Sequence, residues 1–234
     1  FKTYEQENAE KFIESLSDKI EAIAVMGGTT VSSELIKKLP KLKIIANYGV
    51  GYDAVDVKQA TLSNVKVTNT PDVLNDEVAD TAIALTLCVY KNIALANQFL
   101  LEKKWLKSEY PLSKKFSGTK FGILGMGRIG KTIAKRIESF NCEICYHSRN
   151  QKDVKYKYFS KLEDLAEYVD TLCVITPGGE ETKHLVNANV LQKLGKNGFL
   201  INIARGTVID QKALIYALQN NIIRGAGLDV FENE

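Results

Sequence analysis

A chain of 234 residues, 45% hydrophobic and 25% charged, has room for one large or two small globular domains and the composition of a protein that buries a core. Its formal net charge of +3 is too small to imply a polyanionic partner, and no apolar run approaches the roughly 20 residues a membrane-spanning helix needs. The opening FKTYEQENAEKF is not a signal peptide and carries no initiating Met, so a preceding segment is expected outside this sequence.

The densest basic cluster, Lys103, Lys104, Lys107, Lys114 and Lys115 around Trp105, reads as a solvated loop; a nucleic-acid patch would want more Arg and interleaved aromatics. Of the 4 cysteines, Cys142 and Cys145 form a CxxC inside an apparent strand, where positions three apart point to opposite faces, so no metal or redox pair is expected. Cys88 and Cys173 sit in apolar runs and read as small core residues. A reducing cytoplasm is the expected compartment.

In chain order, KIEAIAVM at 19–26 predicts a strand and SSELIKKL a helix. KLKIIANYGVG predicts a strand entering a glycine-bearing loop, VDVKQATLSN a short helix, and VKVTNTPDV a strand and loop. Val78, Ala82, Leu85, Val89, Ile93 and Ala96 recur three or four apart, which predicts one long helix over about 76–104. Beyond the lysine-rich loop the expectation is strand 119–124, helix 128–140, strand 142–147, helix 161–168, strand 169–175, helix 187–194, strand 198–203, helix 210–219 and a closing strand in GAGLDVFENE. Strands alternating with helices at this spacing specify parallel sheets. The fold class is therefore α/β with two doubly wound parallel-sheet domains, residues 1–71 and residues 72–234, the second including the long helix.

KFGILGMGRIGK places Gly125, Gly127 and Gly130 as G-x-G-x-x-G between an apolar strand and a helix whose Ile129, Ile133, Ala134 and Ile137 share a face. In that context Gly125 permits the tight turn and Gly127 lets backbone approach a pyrophosphate. Gly130 allows close helix–sheet packing, and the helix N-terminus favours the negative charge. A dinucleotide site follows, with Arg128 and Ile129 beside the pyrophosphate by motif position. The next strand ends in CYHSRNQK, with His147, Ser148 and Arg149 where an NAD-preferring site usually has a carboxylate. Arg149 can pair with a 2′-phosphate and Ser148 can add a hydrogen bond, so NADP(H) is favoured, with NAD(H) as the alternative.

NYGVGYDAVD, VTNTPDVLNDEVADTAIAL, FSGTKFGILGMGRIG, CYHSRN, INIARGTVID and GAGLDVFENE, in this order, resemble the D-2-hydroxyacid dehydrogenase family, and within it the glyoxylate/hydroxypyruvate and hydroxyphenylpyruvate reductases. The resemblance covers essentially the whole chain, and it implies that residues 1–71 are an incomplete flavodoxin-like substrate domain and residues 72–234 a Rossmann cofactor domain. It implies NAD(P)-dependent reduction of a small 2-oxo acid, with Arg205 anchoring and polarising the substrate. It also implies that the backbone N–H groups of Val50 and Gly51 hold the substrate carboxylate. The loop MGGTT at 26–30 is expected to line the same pocket. Thr176, Pro177, Ala204, Asp229 and, more weakly, Thr81 carry over as cofactor contacts, although TPGGEET departs from the usual form of its loop. The family's proton donor is a His held by a Glu. Glu234, rather than Glu232, falls at the position of that Glu, while neither His147 nor His184 matches the His, which is expected beyond Glu234. A homodimer formed through the long helix and its following loop is implied as well; no metal, nucleic acid or membrane is. Two further readings stay open at this point: a nucleotide-sensing, corepressor-like binding protein, and an inactive fragment that still binds cofactor.

Overall fold

The computed structural model describes residues 9–26 and 29–234. Gly27 and Gly28, the centre of the expected pocket loop at 26–30, lie outside the described residues. The chain divides into two compact units, Phe1–Leu74 and Asn75–Glu234.

The first unit holds a three-stranded parallel sheet, β1 (Ala22–Met26), β2 (Ile44–Tyr48) and β3 (Lys66–Thr68), in that order. Its helices are α1 (Ala9–Leu16), α2 (Ser33–Lys37) and α3 (Val57–Leu62). The side chain of Ser32 accepts a hydrogen bond from the amide of Leu35 and caps α2, and Asp56 caps α3 through the amide of Gln59. Val25, Val31, Ile36, Leu39, Ile45, Val55 and Ala60 are buried between sheet and helices. Helix α1 has no counterpart in the sequence reading.

The second unit contains α4 (Asn75–Tyr90), α5 (Ile93–Leu101), β4 (Lys120–Leu124), α6 (Arg128–Glu138), β5 (Glu143–His147), β6 (Lys157–Tyr158), α7 (Leu162–Tyr168), β7 (Thr171–Val174), α8 (Ala188–Leu194), β8 (Phe199–Asn202), α9 (Gln211–Gln219) and β9 (Gly225–Leu228). All six strands pair in parallel, in the order β6-β5-β4-β7-β8-β9. Renumbered within the unit this is 3-2-1-4-5-6, the doubly wound dinucleotide-binding order. Strand residues alternate between two cores. Phe121 and Ile123 of β4 face Ala79, Ala82 and Tyr90 of α4 and Ile133, Ala134 and Ile137 of α6. Leu124 faces the other side, with Leu165 of α7, Leu191 of α8 and Leu214 of α9. The α/β class and the Rossmann unit agree with the sequence reading.

The expected helix over 76–104 is instead two helices. Asn92 adopts the left-handed conformation (φ 52°, ψ 38°), which ends the hydrogen-bond ladder of α4 and bends the chain by 56° into α5. Apolar residues continue at helical spacing on both sides of the break, so periodicity alone does not reveal it. Among the described residues no single helix is long and apolar enough to cross a membrane. The two-residue strand β6 is too short to leave a periodic signal.

Cys145 is buried on the α7–α9 side, and Cys142 packs on the other, so the CxxC does not form a pair. Burial, reinforced by Glu143, pushes the Cys145 thiol up to about 11, and burial pushes Cys173 up to about 12. Cys88 departs from its expected core position: it is half-buried and lines a surface cavity of ≈ 670 Å³ with Asn92, Phe199 and Arg224.

The Tyr90 hydroxyl and Thr171 Oγ1 lie 2.9 Å apart, both buried, and tie α4 to the first residue of β7. Tyr90→Phe strands the threonine hydroxyl in the core and is expected to lower unfolding free energy by about 1–2 kcal/mol. Urea denaturation checks this; an unchanged midpoint would show that the bond contributes nothing.

Candidate active site

Strands β4 and β7 are neighbours at the point where the strand order reverses, which is where open α/β sheets bind ligands beyond their carboxyl ends. Gly125 leaves β4 with φ +111°, and a Cβ there would lie 2.6 Å from the Ile175 carbonyl oxygen at the end of β7. A Cβ on Gly130 would fall 2.2 Å from the Gly125 oxygen, so α6 can approach the turn only without one. Gly127 differs: a Cβ there would meet only open space, above an α6 N-terminus that has no side-chain cap. Beside this turn, Thr176 Oγ1 is the one buried side-chain polar atom without a hydrogen-bond partner among the described residues. A bare helix N-terminus and open space over Gly127 fit a dinucleotide pyrophosphate, and the Thr176 hydroxyl beside them offers a further polar contact to the same dinucleotide. Ile129 packs inward against the α4–α6 core.

At the end of β5, His147 Nδ1 lies 2.9 Å from the Phe159 carbonyl oxygen. The Ser148 hydroxyl donates to the Asn150 carbonyl at 2.8 Å, closing its own turn. Arg149 is exposed, and its Nη1 donates to Glu181 Oε2 at 2.9 Å. The sequence reading did not anticipate Glu181. It belongs to the TPGGEET loop, which Thr182 folds back by donating to the Pro177 and Gly179 carbonyls.

A second cluster forms after β8. Asn202 is buried; its Oδ1 accepts from the Ala204 amide and its Nδ2 donates to the Arg205 carbonyl, both at 3.0 Å. These bonds fix the turn that presents the half-buried Arg205, whose Nη1 also donates to the Ala204 carbonyl at 2.7 Å. The last residues fold over the same turn. The Asp229 amide donates to the Asn202 carbonyl at 2.9 Å. A Cβ on Gly206 would lie 1.9 Å from the Phe231 carbonyl carbon and oxygen. The Glu232 amide donates to Gln211 Oε1 at 3.0 Å, and its Oε1 lies 3.2 Å from His184 Nε2. Glu234 is exposed, with Oε1 accepting from the Phe231 amide at 2.5 Å. The structure thus brings Ala204, Arg205, Asp229 and Glu234 onto one turn-and-tail assembly. Thr81 stands apart on α4, its hydroxyl donating to the Glu77 carbonyl.

In the first unit, the loop after β2 is turned by two asparagines that the sequence reading did not weigh. Asn47 Nδ2 donates to the Gly49 and Gly51 carbonyls at 3.1 and 2.9 Å. Asn69 Nδ2 donates to the Val50 carbonyl at 2.9 Å, and the Thr70 amide to that of Gly49 at 3.0 Å. A trans peptide is planar, with its N–H opposed to the C=O of the same unit. Tying down the carbonyls of Gly49 and Val50 therefore aims the amides of Val50 and Gly51 away from the asparagines, as an anion-binding nest requires. Among the described residues no group of three or more His, Cys, Asp or Glu is placed to hold a metal.

Comparison with known proteins gives this architecture a family. Residues 83–234 match the family described as D-isomer specific 2-hydroxyacid dehydrogenase, NAD binding domain. The chain belongs to that family. It is 42% identical to a glyoxylate/hydroxypyruvate reductase of Arabidopsis thaliana, over 95% of this chain and 71% of the relative. It is 40% identical to a hydroxyphenylpyruvate reductase of Plectranthus scutellarioides, over 100% of this chain and 75% of the relative. Among solved structures, it matches an NADPH-dependent glyoxylate/hydroxypyruvate reductase of Sinorhizobium meliloti, in complex with NADP and malonate, with a TM-score of 0.89 and 46% identity, over 94% of this chain and 69% of that one. Membership makes the chain part of a family of NAD(P)-dependent oxidoreductases acting between 2-oxo and 2-hydroxy acids, as the sequence resemblance implied.

Gly206→Ala forces a methyl into the backbone of Phe231. A loss of about 1–3 kcal/mol in unfolding free energy is expected, and equilibrium unfolding that matches the wild type would show that the tail does not lie against the turn.

Proposed function

We propose that the protein is an NADPH-preferring reductase of small 2-oxo acids such as glyoxylate, hydroxypyruvate or a related pyruvate, forming D-2-hydroxy acids. The observation that carries the reading is Arg205, pinned by Asn202 at the carboxyl end of β8 in the turn that also receives the Glu234 segment. A guanidinium there can grip the carboxylate and carbonyl oxygens of a 2-oxo acid together and stabilise the charge that develops on the carbonyl oxygen. The Val50–Gly51 nest is assigned to the substrate carboxylate. When bound, the reduced nicotinamide supplies the hydride.

Gly125, Gly127, Arg128, Ile129 and Gly130 are assigned to the pyrophosphate, Thr176 and Pro177 to the adenosine side, and Ala204 and Asp229 to the nicotinamide end. Thr81 is the least supported of these contacts, because its hydroxyl hydrogen is already committed within α4. Glu234 is assigned the carboxylate that orients the acid–base histidine and raises its pKa. Neither His147 nor His184 is assigned as that histidine, since neither stands at the position that the family resemblance implies for it. The first unit is read as substrate-binding and the second as cofactor-binding. Ile93, Leu95, Leu101, Trp105 and Leu106 of α5 and the segment after it are exposed, and this apolar arm supports a homodimer.

Cofactor preference is assigned to the end of β5, where His147, Ser148 and Arg149 stand with no carboxylate among them, and where a 2′-phosphate would take the place of the Glu181 carboxylate on the exposed Arg149. The relatives named for NADPH or holding NADP support the same choice. Steady-state reduction of hydroxypyruvate should show a lower KM for NADPH than for NADH. Arg149→Ala should raise the KM for NADPH by about ten- to a hundredfold, the worth of one charge-assisted hydrogen bond, with little change for NADH. Equal use of both cofactors, or a preference that survives Arg149→Ala, would overturn this assignment.

A further inference from the structure

His184 has no part in the reaction as described, yet its geometry is unusual. It is one of the few non-glycine residues with a left-handed backbone (φ 51°), a conformation that persists where neighbouring contacts over-determine it. Two such contacts are visible. Its amide donates to the Thr207 carbonyl at 2.9 Å, which sets it beside the Gly206–Val208 turn that follows Arg205. Its Nε2 lies 3.2 Å from Glu232 Oε1, with the imidazole 40% and the carboxylate 24% exposed. Glu232 is two residues before Glu234, and its amide is itself held by Gln211 Oε1. One residue thus bonds the Arg205 turn through its backbone and the Glu234 segment through its side chain.

We propose that His184 and Glu232 are positioning residues, a clasp that fastens the segment Val230–Glu234 to the Arg205 turn and so fixes the Glu234 carboxylate relative to the guanidinium. The packing of Gly206 against Phe231 and the bond from Gln211 locate the backbone of this segment. The His184–Glu232 contact closes it from the side of the TPGGEET loop. The Glu232 carboxylate can only accept, so the contact needs a proton on Nε2, which the Nε2–H tautomer of the neutral ring supplies as well as the protonated ring. The inference rests on the assignment of Glu234 to the acid–base machinery for its catalytic consequence, but not for its structural one.

The two consequences are measured separately in the purified protein. His184→Asn keeps a residue that tolerates the left-handed backbone but is too short to reach Glu232; His184→Gln restores a donor at nearly the reach of Nε2. Amide hydrogen exchange at Phe231 and Glu232 should quicken about fivefold or more in His184→Asn and return towards wild type in His184→Gln, while Asp229, tied to Asn202, keeps its protection. In turnover of hydroxypyruvate, kcat should fall about tenfold in His184→Asn with the KM for NADPH within about twofold of wild type, and His184→Gln should recover most of it. Glu232→Ala should reproduce both effects, and the double variant should be no worse than either single one, as for two partners in one contact. Unchanged exchange in the Asn variant would overturn the clasp whatever the turnover shows. Faster exchange with unchanged kcat would confine it to a structural fastening and overturn the positioning role. A loss of about a thousandfold that Gln does not relieve would make His184 the proton donor instead. A wild-type protein without turnover would count against the function proposed above and leave the exchange result to decide the clasp.

Discussion

Parallel pairing is the constraint on which the second unit depends. A strand that runs parallel to its neighbour must be followed by a crossover, so all six strands release their following segments at the same edge of the sheet. The glycine turn after β4, the His147–Arg149 segment after β5, Thr176 after β7, the Arg205 turn after β8 and the tail after β9 therefore share one edge, although they span more than 100 positions of sequence. The reversal of strand order between β4 and β7 opens a crevice at the middle of that edge. Chemistry that needs a phosphate cradle and an arginine side by side is placed there by topology before any side chain is chosen.

Close backbone approach refines this placement. Gly125 and Gly130 bring the end of β7 and the start of α6 onto one turn, and Gly206 does the same for Phe231 and the Arg205 turn. In each case the missing Cβ is what lets two main chains meet, so the geometry is set by covalent structure and not by adjustable side chains. Buried Asn202 adds the second element, satisfying the Ala204 amide and the Arg205 carbonyl at once. With its backbone held this way and Nη1 bonded to the Ala204 carbonyl, Arg205 would lose less freedom in the substrate-binding role proposed for it, which is where preorganisation contributes to rate.

What the sequence made legible follows from the range of each interaction. The α/β order, the glycine motif and the exposed Arg149 rest on local requirements: strand and helix periodicity, turn conformation, residue type at a strand end. The opposite-facing cysteines are of the same kind. Contacts formed by folding were not legible. Glu181 reaches Arg149 across 32 positions, His184 reaches Glu232 across 48, and Asn69 reaches Val50 across 19. No pattern within a window joins them. Asn92 shows a third case, in which a local event is hidden because apolar spacing continues on both sides of one left-handed residue. The Gly206 contact had a signal in the sequence, a glycine directly after the proposed substrate arginine, but its partner in the tail did not.

The proposed function depends on Arg205 as the residue assigned to grip the 2-oxo acid. Its most direct test is kcat/KM for hydroxypyruvate in Arg205→Lys, measured beside the NADPH dissociation constant. Lysine keeps the charge but loses the planar fork, so kcat/KM should fall about a hundredfold or more while cofactor affinity stays within about twofold of wild type. A variant that keeps kcat/KM within about threefold of wild type would contradict the assignment, because two-point recognition by a guanidinium cannot be replaced by an ammonium at so small a loss.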